Sequence, residues 1–122
     1  MLAHQRLQAW KLCHELVLAV YNATASFPKH ELYGLTSQAR RAAFSAAVNI
    51  VEGSAKRGAR EFRRFLDISI GSLAELAYTL QVARDLKLLD SHRWAELERI
   101  RRQAGFMTWK LYTAIAKAVR TV

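Results

Sequence analysis

The 122-residue chain has one cysteine, one proline and five glycines, and only 10 acidic residues stand against 19 lysines and arginines. Each shortage excludes something. A lone Cys13 cannot close an internal disulfide, which rules out a small secreted scaffold held by cystines. With no charged-then-apolar leader ending in small residues, the expected setting is the reducing cytoplasm. Apolar runs are short and broken by charge, well below the roughly 18 consecutive apolar residues that suggest a membrane span. No membrane partner is expected. Pro28 is the only proline, and the glycines fall mostly where helical periodicity stops, so little in the chain opposes helix. The deficit of acids leaves a formal charge of +9. That excess repels itself in a compact fold and points to an anionic partner, nucleic acid first and an acidic protein second.

The length suits a single domain, residues 1–122, able to bury about 65% of its unfolded surface. Leu7, Trp10, Cys13, Val17, Val20 and Tyr21 recur at helical spacing until Ser26-Phe27-Pro28, which predicts a first helix from Leu7 to Ser26. Thr36 or Ser37 is the expected N-cap of a second helix, whose Ala39, Ala42, Ala43, Ala46, Ile50 and Gly53 form a small-residue face. Gly53 to Gly58 break the pattern. Phe62, Leu66, Ser69, Leu73, Leu76, Leu80 and Ala83 then mark a long third helix to about Leu88. After a turn and cap at Leu89-Asp90-Ser91, Trp94, Leu97, Ile100 or Arg101, Ala104, Met107 or Thr108, Leu111, Ile115 and Val119 carry a fourth nearly to the end. The predicted fold is all-α, an antiparallel up-down-up-down four-helix bundle. Trp10, Trp94, Phe106, Trp109 and Tyr112 exceed what a minimal core needs; extra core is the expected use, a partner face the other.

Polar residues form two patterns. Gln38, Arg41, Ser45, Asn49 and Glu52 step by three and four along the second helix, and Ser72, Glu75 and Thr79 do so along the third. The expected role is a structural polar network of Gln38, Arg41, Asn49, Glu52, Ser72 and Glu75 that fixes helix register, with Arg41 paired to Glu52 or Glu75. The other role open to them is a polar pocket, with Glu52 and Glu75 as acid and base. No nucleophile, metal set or sugar-binding platform accompanies those carboxylates, so no catalytic residue is assigned and the chain is expected not to be an enzyme. Lys56, Arg57, Arg60, Arg63 and Arg64 cluster, and Arg57, Arg60 and Arg64 are expected to share a helical face in the first turns of the third helix, where the helix dipole favours acids. An external phosphate explains that placement better than local helix physics does. Arg99, Arg101 and Arg102 form a second cluster, and with Arg40, Lys110, Lys117 and Arg120 they could join a continuous basic surface on assembly.

Gly53 and Gly58 have the separation of a phosphate-loop pair, but Ala59 and Arg60 stand where lysine and a hydroxyl are required. His4, His14, His30 and His92 lack a histidine or cysteine at i+3 or i+4, so no metal site is expected. No cofactor is implied.

Several motifs occur in one order: Trp10-Lys11-Leu12-Cys13-His14-Glu15-Leu16-Val17, Phe27-Pro28, Tyr33-Gly34-Leu35-Thr36-Ser37-Gln38-Ala39-Arg40-Arg41, Asn49-Ile50-Val51-Glu52-Gly53, and Glu61-Phe62-Arg63-Arg64-Phe65-Leu66 leading into Gly71-Ser72-Leu73-Ala74-Glu75-Leu76. In this the chain resembles a bacterial four-helix bundle family known from reading frames in intervening sequences of 23S ribosomal RNA genes. The resemblance implies a homopentameric ring of four-helix protomers. It also extends to the accessory variability determinants of diversity-generating retroelements, basic pentamers that associate with a reverse transcriptase and its RNA. It therefore implies RNA rather than DNA as partner, and a reverse transcriptase as a second one. The chain departs from that family at Ala47, where relatives often carry proline, and at Ala39, where a larger apolar residue is common; helix two should be straighter. The expected function is a non-enzymatic, homo-oligomeric scaffold that holds RNA by its phosphates, through Arg40, Lys56, Arg57, Arg60, Arg63, Arg64, Arg99, Arg101 and Arg102. The alternative is an adaptor for an acidic protein with no nucleic-acid role.

Overall fold

The computed structural model describes residues 2–120. Four α-helices make up most of them: α1 (Gln8–Thr24), α2 (Ser37–Ala55), α3 (Ala59–Asp85) and α4 (Ser91–Arg120). No strand occurs among the described residues. Helix α2 packs against α1 and α3, and α4 against α3 and α1, so the four enclose one core.

The alanine face of α2 lies where its periodicity places it. Ala39, Ala42, Ala43, Ala46, Ile50 and Gly53 are all buried, and Ala47 joins them within an uninterrupted helix. Small side chains let α3 approach closely. On α3 the seam of Leu66, Ser69, Leu73, Leu76, Leu80 and Ala83 is buried as expected, while Phe62 is only half-buried and Phe65 takes the deeper position. On α1 the buried stripe is Ala9, Cys13, Leu16, Val20 and Ala23. It is rotated from the expected one, because Tyr21 faces outward beneath a guanidinium: the Arg40 Cζ lies 4.5 Å from the Tyr21 ring centroid. Leu97, Ile100 and Ala104 complete the core from α4, with Trp94, Met107, Leu111 and Ile115 half-buried against it.

Helix ends differ from the sequence expectations at identifiable atoms. Thr36 is already helical and caps nothing. A 3-10 turn at Lys29–Glu31 and a π-helical turn at Leu32–Thr36 lead into α2, and the Glu31 carboxylate accepts from the Leu35 backbone N–H at 3.0 Å. Helix α1 stops at Thr24, short of Ser26, and α3 stops at Asp85 rather than near Leu88. The latter end is a left-handed residue, Lys87 (φ 63°), followed by a Leu88 N–H that donates to the Ala83 carbonyl at 2.9 Å. Asp90 caps α4, its Oδ1 accepting from the Arg93 N–H at 2.8 Å. Gly53 lies inside α2, not at its end; the break is at Gly58, whose φ of 93° favours glycine.

Cys13 is wholly buried beside Thr108, with Sγ and Oγ1 3.8 Å apart. Burial disfavours the thiolate and pushes the thiol up from 9.0 to about 11. The folded protein thus holds its proton where the unfolded chain has lost it. Stability from this group is complete below pH 9 and declines as pH rises from about 9 to 11. Denaturant unfolding at pH 8 and pH 10.5 should show a fall that Cys13→Ala reduces.

Candidate nucleic-acid interface

At the start of α3 the basic residues form one surface feature. Arg60, Arg63 and Arg64 line a pocket of about 550 Å³ together with Glu61, Asp67 and Tyr112 of α4. Gly58 opens the helix, so Arg57 belongs to the preceding turn and does not share the helical face of Arg60 and Arg64. The Lys56 Nζ and the Arg64 Cζ lie 5.5 and 4.7 Å from the Phe65 ring centroid, which draws the turn and the helix start together. Arg64 also reaches Glu61 at 3.2 Å, an exposed pair of small energetic weight. Among the described residues Lys56, Arg57, Arg60 and Arg63 form no ion pair. Arg60 and Arg63 lie in the first turns of α3, where the dipole is unfavourable to cations, whereas Lys56 and Arg57 follow the C-terminal end of α2, where it is favourable.

The other expected contacts divide differently. Arg40 is half-buried, its Nε donating to Thr24 Oγ1 at 2.9 Å and its Nη2 to the Tyr21 carbonyl at 3.4 Å. It ties α1 to α2, about 20 Å along α2 from the Gly53 contact with α3. Arg101 is also engaged. Its Nε and Nη2 donate to the two oxygens of Glu98 at 2.8 and 2.7 Å, and Arg102 Nε stands 3.7 Å from the same carboxylate. Glu98 is buried, a residue the sequence reading passed over although its i+3 and i+4 arginines signal the pairing. Arg99 is exposed.

Replacing Arg101 by methionine leaves a buried carboxylate with only the longer Arg102 contact. The expected result is about 2 kcal/mol lost stability, below the full cost of breaking a buried pair because Arg101 is partly in water. RNA affinity should change by less than about twofold, since a guanidinium held on Glu98 contributes little to an external phosphate.

The polar stripe is only partly a network. Ser45 and Ser72 hydroxyls are 2.8 Å apart, Asn49 Nδ2 donates to the Ser45 carbonyl and Oγ at 2.8 and 3.1 Å, and Ser69 Oγ donates to the Ala46 carbonyl at 2.8 Å. The Ser45–Ser72 and Ser69–Ala46 bonds link α2 to α3, whereas those of Asn49 stay within α2. Gln38, Arg41, Glu52 and Glu75 are exposed instead. Arg41 pairs with neither Glu52 nor Glu75, because both carboxylates point to water rather than into the helix interface. Gln38, Arg41, Ser45 and Glu75 line an open cavity of about 400 Å³ that Glu52 does not reach. The two carboxylates are therefore not brought together as acid and base.

Among the described residues no group of histidine, cysteine or carboxylate side chains could hold a metal ion, and no helix is long and apolar enough to cross a membrane. No curated protein matches the chain. The model of the 23S rRNA-intervening sequence proteins matches residues 5–110, a span that takes in α1, α2, α3 and most of α4. The chain belongs to the 23S rRNA-intervening sequence protein family.

Proposed function

We propose that the protein is a non-enzymatic scaffold that binds RNA through phosphate contacts at the start of α3. The observation that carries this is the pocket in which Arg60, Arg63 and Arg64 converge, with Arg60 and Arg63 free of ion pairs among the described residues. Guanidinium groups in that state match phosphate oxygens by two-point hydrogen bonding. The chain's charge of +9 adds a long-range attraction. The family's connection with ribosomal RNA genes is compatible with such a partner.

An antiparallel order of the helices is part of this proposal. Its support is that Ser45 meets Ser72, Ala46 meets Ser69 and Gly53 meets Phe62, so numbers rise in α2 as they fall in α3. A homopentameric ring is a further part. Phe44 on α2 and Ile68 and Tyr78 on α3 are exposed, and Gly71 and Ala74 leave the outer face of α3 shallow. Such a face gives apolar surface to a second copy. Five copies would multiply the basic charge about fivefold. A cytoplasmic location and service beside a retroelement reverse transcriptase are the specific setting we infer, resting on the resemblance and the basic charge.

The test is binding of a structured RNA to the purified protein at about 50 mM salt, followed by capture of partners from lysate with and without nuclease. RNA binding and nuclease-sensitive partners are expected. Lack of any RNA binding, with an acidic protein retained after nuclease, would replace the scaffold by an adaptor.

A further inference from the structure

We propose that Trp109 and Tyr112 form a stacking platform for the bases of an unpaired RNA segment whose phosphates lie on Arg60, Arg63 and Arg64. This rests on the RNA reading above and adds the strand type, single-stranded in preference to duplex. Tyr112 joins the two features. It lines the arginine pocket from α4, and its ring is stacked on Trp109 with centroids 5.4 Å apart and planes 15° from parallel. Trp109 is nevertheless 53% exposed, so the stack ends in an indole that can accept another ring.

The aromatic surface continues along α4. Phe106, one helical step before Trp109, is 62% exposed, and the Lys110 Nζ lies 5.5 Å from its ring centroid. Consecutive aromatic side chains at i, i+3 and i+6 rise about 4.5 Å per step. A cationic groove flanked by exposed rings is what a flexible strand uses, since every base has a π-face and the backbone follows the positive charge. Other surplus aromatics are already used: Trp94 lies beneath Arg84, 4.1 Å from its Cζ, and Trp10 is stacked on His14. Phe106 and Trp109 cover no core. Lys110 lies against Phe106, and the three arginines of the pocket that Tyr112 lines outnumber its Glu61 and Asp67, which favours an anionic occupant over an apolar protein surface. A duplex keeps its bases stacked on one another and offers this site only phosphates.

The experiment is fluorescence anisotropy of the full chain with two labelled RNAs of about 12 units, one a non-self-complementary single strand and the other a duplex. Trp109→Ala should weaken the single strand by about tenfold and the duplex by less than about twofold. The dependence on salt should keep its slope, because no phosphate contact is removed. Trp109→Phe, which keeps a ring, should retain most of the affinity. Circular dichroism and light scattering on each variant verify that fold and assembly size are unchanged. Equal losses on both RNAs, no loss on the single strand, or a changed assembly size would overturn the platform, the last by making Trp109 a contact between copies. If the unaltered protein binds neither RNA at low salt, the phosphate reading falls as well. If it binds both and ignores Trp109, only the platform falls.

Discussion

Gly53→Val should lower the stability of the protein by about 3 kcal/mol, and even Gly53→Ala should destabilise it. A Cβ built at Gly53 would stand 2.8 Å from Phe62 Cδ1 and 2.9 Å from Phe65 Cβ. The ring of Phe62 can turn. Phe65 Cβ is fixed to the backbone of α3, so relief requires the two helices to separate where α2 is lined with alanine. Alanine is intrinsically better than glycine in a helix by about 1 kcal/mol, which makes the sign of the effect diagnostic. Gly71 and Gly105 serve as controls, because nothing lies within 4 Å of a Cβ at either position. Gly71→Ala should stabilise the isolated protomer by up to about 1 kcal/mol. Thermal melts of the three variants decide the matter, with roughly 3–5 °C expected per kcal/mol for a chain of this size.

RNA affinity should fall by about 10³-fold between 50 and 200 mM salt if roughly six phosphates are engaged. Counterion release sets that magnitude. Each neutralised phosphate frees condensed cations, so the logarithm of the binding constant declines in proportion to the number of contacts. Arg60, Arg63 and Arg64 supply three cations from one pocket, while Lys56 and Arg57 stand in the turn just before it. Arg101 and Arg40 are excluded from this count by their own hydrogen bonds to Glu98 and Thr24.

Much of the helical framework was legible in the sequence because apolar periodicity and the scarcity of proline and glycine act locally. The α2 face is the clearest case: Ala39, Ala42, Ala43, Ala46 and Ile50 are buried as their spacing predicts. Boundaries were less legible where tertiary or side-chain contacts set them. Lys87 adopts a left-handed conformation with no glycine to announce it, and Glu31, rather than a hydroxyl residue, satisfies the Leu35 N–H. The α1 face was misphased because Tyr21 looks like core until Arg40 covers it.

The basic cluster was legible only as composition. Sequence spacing places Arg60, Arg63 and Arg64 on neighbouring helical turns, yet it cannot bring Tyr112 from α4 to the same pocket. Spacing signals that Arg101 pairs with Glu98, but not that this carboxylate is buried while Arg60 faces water. The polar stripe divides for a similar reason. Ser45 reaches Ser72 on α3 and Asn49 bonds back to Ser45 within α2, whereas Arg41 and Glu52 on the same helix are exposed.

The most direct measurement is the slope of log Kd against log salt for one RNA, with the unaltered protein and with Arg60, Arg63 and Arg64 together replaced by glutamine. Loss of three phosphate contacts should reduce the slope by about 2–3 while the fold is retained. An unchanged slope with unchanged affinity would contradict phosphate binding at the start of α3.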